Sequence, residues 1–227
     1  MKIGVLLSGC GVNDGAEIHE SVFTLLAIEE AGHEVAFIGI DKNQHHVINH
    51  LNGEVQNESR NMMVEAARIA RGEITEINKI APADIDMLVI PGGAGSAKNL
   101  TTWAFDGPDS EILPEVKLLI VNMVNVGKPI VALCVSPVVV AKALEGSDVK
   151  PFMTMGSDKA ESEYDIKGFT DGLSKVGAAT TMKLANEINV DRVNKIVTAP
   201  CYMMKSNILT LRKNISDAIN AGIELVE

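Results

Sequence analysis

Four short and almost uninterrupted apolar runs constrain this chain more than anything else in it: KIGVLL (2–7), EVAFIGI (34–40), DMLVIPGG (86–93) and PIVALC (129–134). A strand with one wet face alternates polar and apolar residues. A run that stays apolar belongs to a strand buried on both faces, as in a parallel sheet covered by helices. The segments between the runs fit that role. Residues 17–31 carry Ile18, Val22, Leu25, Leu26 and Ile28 at spacings of three and four before Gly32, and 59–71, 112–126 and 137–144 also read as helices, the last two stopped by Gly127 and Gly146. Short β-like runs at 188–190 and 195–200 and a helix over 205–223 close the chain. Strands alternating with helices make βαβ units and a doubly wound α/β fold. No repeat, low-complexity tract or linker interrupts the pattern, so residues 1–227 read as one domain.

Charge and composition narrow the function classes. A formal charge of −10 opposes nucleic-acid backbones and anionic membranes, and 4% aromatic residues leave few stacking platforms for single strands. Neither partner is expected; a small molecule is. The longest strongly apolar stretch, Ile130 to Ala141, is broken by Ser136 and Pro137 and falls short of the ~18 residues that span a bilayer. Ile3 to Leu7 is too short for a secretory core. Cys10, Cys134 and Cys201 are odd in number and form no C-x-x-C, which points to a reducing cytoplasm rather than a disulfide framework.

Two glycine loops invite a nucleotide reading and fail it. In SGCGVNDG (8–15), Asp14 stands where a dinucleotide loop needs glycine, and it would repel a pyrophosphate; PGGAGSAKNL (91–100) has Asn99 after Lys98 where a phosphate loop needs Ser or Thr. No cofactor is expected. His46 and His50 have the i, i+4 spacing of metal ligands if their segment is helical, but no third ligand is evident, so no metal is expected either. With Asn49, His46 reads as a polar loop near a pocket.

The sharper signal is ALCVSPVVV (132–140). Cys134 sits where a buried strand turns abruptly into a helix, with small residues two before it (Ala132) and two after it (Ser136), which is the pattern of a nucleophile elbow. Pro137 suits a first helical turn, and Ser136 is placed to cap it. Helix amides facing the sulfur should favour thiolate over thiol. A buried core cysteine is the alternative. All five histidines precede residue 51, which excludes a Cys-His-Glu triad in that chain order. Glu17 and Glu20 instead lie three apart where the first helix begins, at the same sheet edge. A carboxyl touching a thiolate has to be protonated, so such a pair can pass one proton back and forth.

These residues carry a resemblance. GAEIHE (15–20), VIPGGAGSAKNL (89–100) and GKPIVALCVSP (127–137) together resemble the PfpI superfamily, which includes the parkinsonism-associated deglycase. HVINHLNGE (46–54), SRNMMVEAARIARGEI (59–74) and TAPCYM (198–203) extend it to the ElbB glyoxalase-like family over nearly the whole chain. The resemblance implies a flavodoxin-like three-layer sandwich of the class I glutamine-amidotransferase type, with a mostly parallel sheet. It implies Cys134 as nucleophile, Glu20 as its acidic partner, the amides of Gly93 and Val135 as an oxyanion hole, and Glu17 and Gly92 close by. Superfamily members often place a histidine shortly after the nucleophile's helix, and KPFMTMGSD (150–158) has none. That counts against peptide or amide hydrolysis. The implied activity is a glutathione-independent glyoxalase that turns small α-oxoaldehydes into hydroxy acids, with repair of glycated amines a related possibility, in a homodimer. The alternative is a non-enzymatic regulator or redox sensor with an oxidisable Cys134.

Overall fold

The computed structural model describes residues 1–226. The first half runs β1 (Lys2–Leu6), α1 (Ile18–Glu30), β2 (Glu34–Gly39), α2 (Met62–Ile69), β3 (Thr75–Glu76), β4 (Met87–Ile90), α3 (Trp103–Asp106), α4 (Pro114–Asn125), β5 (Ile130–Leu133) and α5 (Pro137–Leu144). The second half adds β6 (Phe152–Met153), α6 (Ile166–Lys175), β7 (Ala179–Thr180), β8 (Asn189–Asp191), β9 (Ile196–Ala199) and α7 (Ile208–Glu224). The apolar runs are all strands, and β1, β4, β5 and β9 are buried along nearly their whole length, as expected of strands with no wet face.

Seven strands form one sheet in the order β3-β2-β1-β4-β5-β9-β8, parallel throughout except for β8, which pairs antiparallel with β9. Helices α1, α2 and α7 pack together on one face, and α4 and α5 on the other. The result is a flavodoxin-like α/β sandwich. Helix α7 lies close to the sheet: a Cβ on Gly222 would stand 2.6 Å from both Met87 Sδ and Val131 Cγ2, so only glycine permits that approach. The strand order reverses between β1 and β4. In open parallel sheets, ligands bind in the crevice beyond the strands' carboxyl ends at such a reversal.

Helix starts differ from the sequence reading where an asparagine cap sets them. Asn61 accepts from the amides of Met63 and Val64, so α2 begins at 62 rather than 59; Asn207 does the same for α7. Helix α6 and the small β6–β7 pair were not expected. The segment 41–61, by contrast, forms no helix. It is an excursion pinned by isolated bridges between Asn43 and Asn61 and between Ile48 and Val55.

Candidate active site

Three strand ends converge on one carboxyl. Glu20, in the first turn of α1, has no solvent exposure; its Oε2 accepts from the Gly92 amide at 2.9 Å and its Oε1 from the Tyr202 amide at 3.2 Å. Gly92 follows β4 and Tyr202 follows β9. The Cys134 side chain, after β5, is its third hydrogen-bond partner. Gly92 is pinned at both ends, since its carbonyl accepts from the Glu17 amide at 2.8 Å. A Cβ there would lie 2.5 Å from Glu20 Oε2 and 2.9 Å from the Cys134 sulfur, so glycine is what lets acid and thiol meet.

Cys134 sits in the left-handed region at φ 56°, the strained turn of an elbow, with its amide donating to the Ala199 carbonyl at 2.9 Å. The amides of Gly93 and Val135 face its sulfur. Ser136 supports the turn differently from the expected cap: no side-chain cap bond forms, and its hydroxyl donates to the Pro91 carbonyl at 2.7 Å and meets Ser96 Oγ at 2.8 Å. The elbow is thereby tied to the loop after β4.

Electrostatics reverse one expectation. The two amides do pull the thiol's pKa down, but burial first and the neighbouring Glu20 second outweigh them and push it well above its ordinary value. Burial, reinforced by Glu17, pushes Glu20 up to about 8. Glu17 accepts from the Glu20 amide at 2.6 Å as the N-cap of α1. At neutral pH the pair therefore holds its protons, and once one leaves, the remaining proton is shared between sulfur and carboxyl.

A cavity of about 210 Å³ opens over the sulfur, lined among others by Glu17, Gly93, Val135, Lys98, Tyr164 and Tyr202. His46 and Asn49, expected near the pocket, do not line it. With no helix in their segment, His46 packs edge-on against His45 and Phe105, and the Asn49 side chain accepts from the Leu51 amide within its own turn. It is His50 that reaches the loop after β1, its Nε2 accepting from the Asn13 amide at 3.2 Å. The i, i+4 metal spacing loses its meaning there. Sequence reasoning missed Tyr164 and the Tyr202 amide; the second fell within the TAPCYM segment, but a backbone donor leaves no mark on residue type.

Known proteins resemble this chain in sequence and in fold. The DJ-1/PfpI family model matches residues 10–155. The human glutamine amidotransferase-like class 1 domain-containing protein 3, mitochondrial, is 37% identical over 99% of this chain and 83% of its own length. Among solved structures, an isoprenoid biosynthesis protein with amidotransferase-like domain from Ehrlichia chaffeensis is 33% identical, with TM-score 0.90 and both chains covered completely. Glyoxalase III from Candida albicans, at 17% identity, TM-score 0.59 and 97% of each chain, shares the fold. The matched segment contains Glu20, Gly92, Gly93, Cys134 and Val135, and so the chain belongs to the DJ-1/PfpI family.

Proposed function

We propose that the chain is an ElbB-type, glutathione-independent glyoxalase-like enzyme of the hydro-lyase kind, acting on glyoxal or a similar α-oxoaldehyde. One observation carries the reading: a carboxyl shut off from solvent, held by two loop amides and hydrogen-bonded to the elbow thiol. A carboxyl so placed is suited to proton transfer. The Cys134 sulfur attacks the aldehyde carbon, and the thiol proton ends on the former carbonyl oxygen, giving a hemithioacetal. That oxygen lies within reach of the Gly93 and Val135 amides. Glu20 moves a proton from this carbon to its neighbour while the hydroxyl proton passes to the neighbouring carbonyl oxygen, leaving a thioester of the hydroxy acid, and water cleaves it to release glycolate or lactate and restore the thiol.

The sensor reading ranks second. Peroxide reactivity follows thiolate character and exposure, whereas Cys134 is 5% exposed with its thiol pushed up. Steady-state conversion of glyoxal to glycolate by purified protein, run beside a peroxide titration of Cys134, tests both. No turnover at any pH between 6 and 9, with fast oxidation, overturns the enzyme reading in favour of the sensor.

A homodimer is part of the proposal. Ile18, Val22 and Leu26 form a stripe along α1 at i, i+4 and i+8, and each is 38–47% exposed, as an isologous contact requires. A reducing compartment such as the cytoplasm suits three cysteines that are all free. Among the described residues, no helix is long and apolar enough to cross a membrane.

A further inference from the structure

A second cavity of about 530 Å³ lies beside the catalytic one, and Lys98 lines both. Its volume falls in the ordinary range for small-molecule sites. Three lysines face it: Lys98, Lys117 and Lys142. Lys142 is already satisfied, since its ammonium donates to the Pro108 carbonyl and is paired with Glu145 at 2.6 Å. The other two are not neutralised. Lys98 donates to the uncharged Asn13 carbonyl at 2.9 Å, and neither it nor Lys117 has a carboxylate partner among the described residues.

An independent observation points the same way. Ser110 is 5% exposed and lines this cavity, yet its hydroxyl has no hydrogen-bond partner. Buried hydroxyls are nearly always paired, so an orphan facing a cavity marks the place of an acceptor. Lys98 and the cavity-lining Leu100 both belong to the single-turn π-helix Ser96–Leu100, a local irregularity found often at functional sites. Leu100, Ile112 and Leu113 supply an apolar wall, and exposed Glu111 is the one other acidic lining residue besides Glu145.

We propose that this cavity is a binding site for a small phosphate or diphosphate monoester with a short apolar body. Two unpaired ammonium groups match a dianion, and the Ser110 hydroxyl offers a directed donor to one of its oxygens. The apolar wall takes the organic part. In a chain of net charge −10, general attraction for anions is absent, so such binding has to come from local groups.

The molecule carries its own reporter. Trp103 is the only tryptophan, and its amide donates to the hydroxyl of Thr101, which lines the cavity. The full chain is titrated with inorganic pyrophosphate, and separately with inorganic phosphate, at fixed ionic strength, following Trp103 emission and heat. Saturable pyrophosphate binding with a Kd below about 1 mM is expected, weakened roughly ten-fold by Lys117→Met and about three-fold or more by Ser110→Ala. Tighter binding of phosphate than pyrophosphate narrows the ligand to a monophosphate. Lys175→Met, on the exposed end of α6, should change nothing. Lys117 is exposed, so its loss does not endanger folding, and a thermal melt checks this. No saturation by either anion, or affinity unchanged in both Lys117→Met and Ser110→Ala, overturns the proposal.

Discussion

Cys134 and Cys201 are nearly matched in backbone and quite unmatched in chemistry. Each follows the carboxyl end of a central parallel strand, β5 and β9, which pair with Leu133 opposite Ala199. Each is buried, and each takes the left-handed conformation, at φ 56° and 48°, which costs a non-glycine residue about 1–2 kcal/mol. Burial pushes both thiols well above their ordinary pKa, with Glu20 the next cause in both cases. The difference lies in what surrounds the sulfur. Cys134 opens onto the cavity and has two amides, those of Gly93 and Val135, aimed at its sulfur; Cys201 is not among the cavity's lining residues, and only the Cys134 backbone lowers its thiol. Backbone strain and a neighbouring acid are therefore common to both thiols. Access and a second sulfur-facing amide belong to Cys134 alone, and on the proposed mechanism they make it the nucleophile.

Replacing one cysteine at a time is the hardest test of that contrast. Cys134→Ser should lower glyoxal kcat/KM by about 10³-fold or more, because a hydroxyl without a strong base gives almost no anion. A variant that kept most of its turnover would remove Cys134 from the mechanism. Glu20→Gln should cost on the order of 10²-fold while leaving a thiol that still reacts with an alkylating agent. Equal loss of alkylation would mean that Glu20 merely positions the sulfur.

A smaller effect concerns pH. With Glu20 at about 8 in the folded chain against an ordinary 4.5, its protonated form is favoured by the fold. Its contribution to stability is thus complete below pH 4.5 and is lost as pH rises through 8. The melting temperature of wild type relative to Glu20→Gln should fall across that window by a few degrees, on the order of 1 kcal/mol or more. Parallel melting curves from pH 4.5 to 8 would contradict the raised carboxyl. In the same range, kcat/KM should climb towards pH 8 as the pair sheds its first proton. Least of all, Cys201→Ala should keep activity within about three-fold and lose about 1 kcal/mol for the small void it leaves.

How much of this could be read from residues alone depended on the kind of signal. Continuous apolar runs expose a strand buried on both faces, so the parallel sheet was legible. The elbow was legible because close packing demands small residues at 132 and 136, while the pairing of Glu20 with Cys134 leaned on family resemblance. Helix α6 stayed hidden because Gly168, Thr170 and Gly172 are poor helix formers, and Gly172 is there for contact: a Cβ would stand 2.9 Å from Trp103 Cζ2. The raised thiol could not be foreseen, since it comes from burial in the assembled fold, which outweighs the helix amides. His46 and His50 misled because spacing means nothing without the helix that gives it geometry.

The cavity walls come from both sides of residue 155, where the family match ends. Cys134, Glu20 and the loop that carries Gly92 and Gly93 lie before it; Tyr164, Phe169, Met203 and Tyr202, whose amide holds Glu20, lie after it. On the proposed mechanism the reacting side chains thus lie in the part that the family model covers, and most of the far cavity wall lies in the part that it does not. Exchanging only the short loops 160–165 and 200–204 between relatives, with β9 and α7 left intact, should move the choice of aldehyde while the response to loss of Cys134 stays the same.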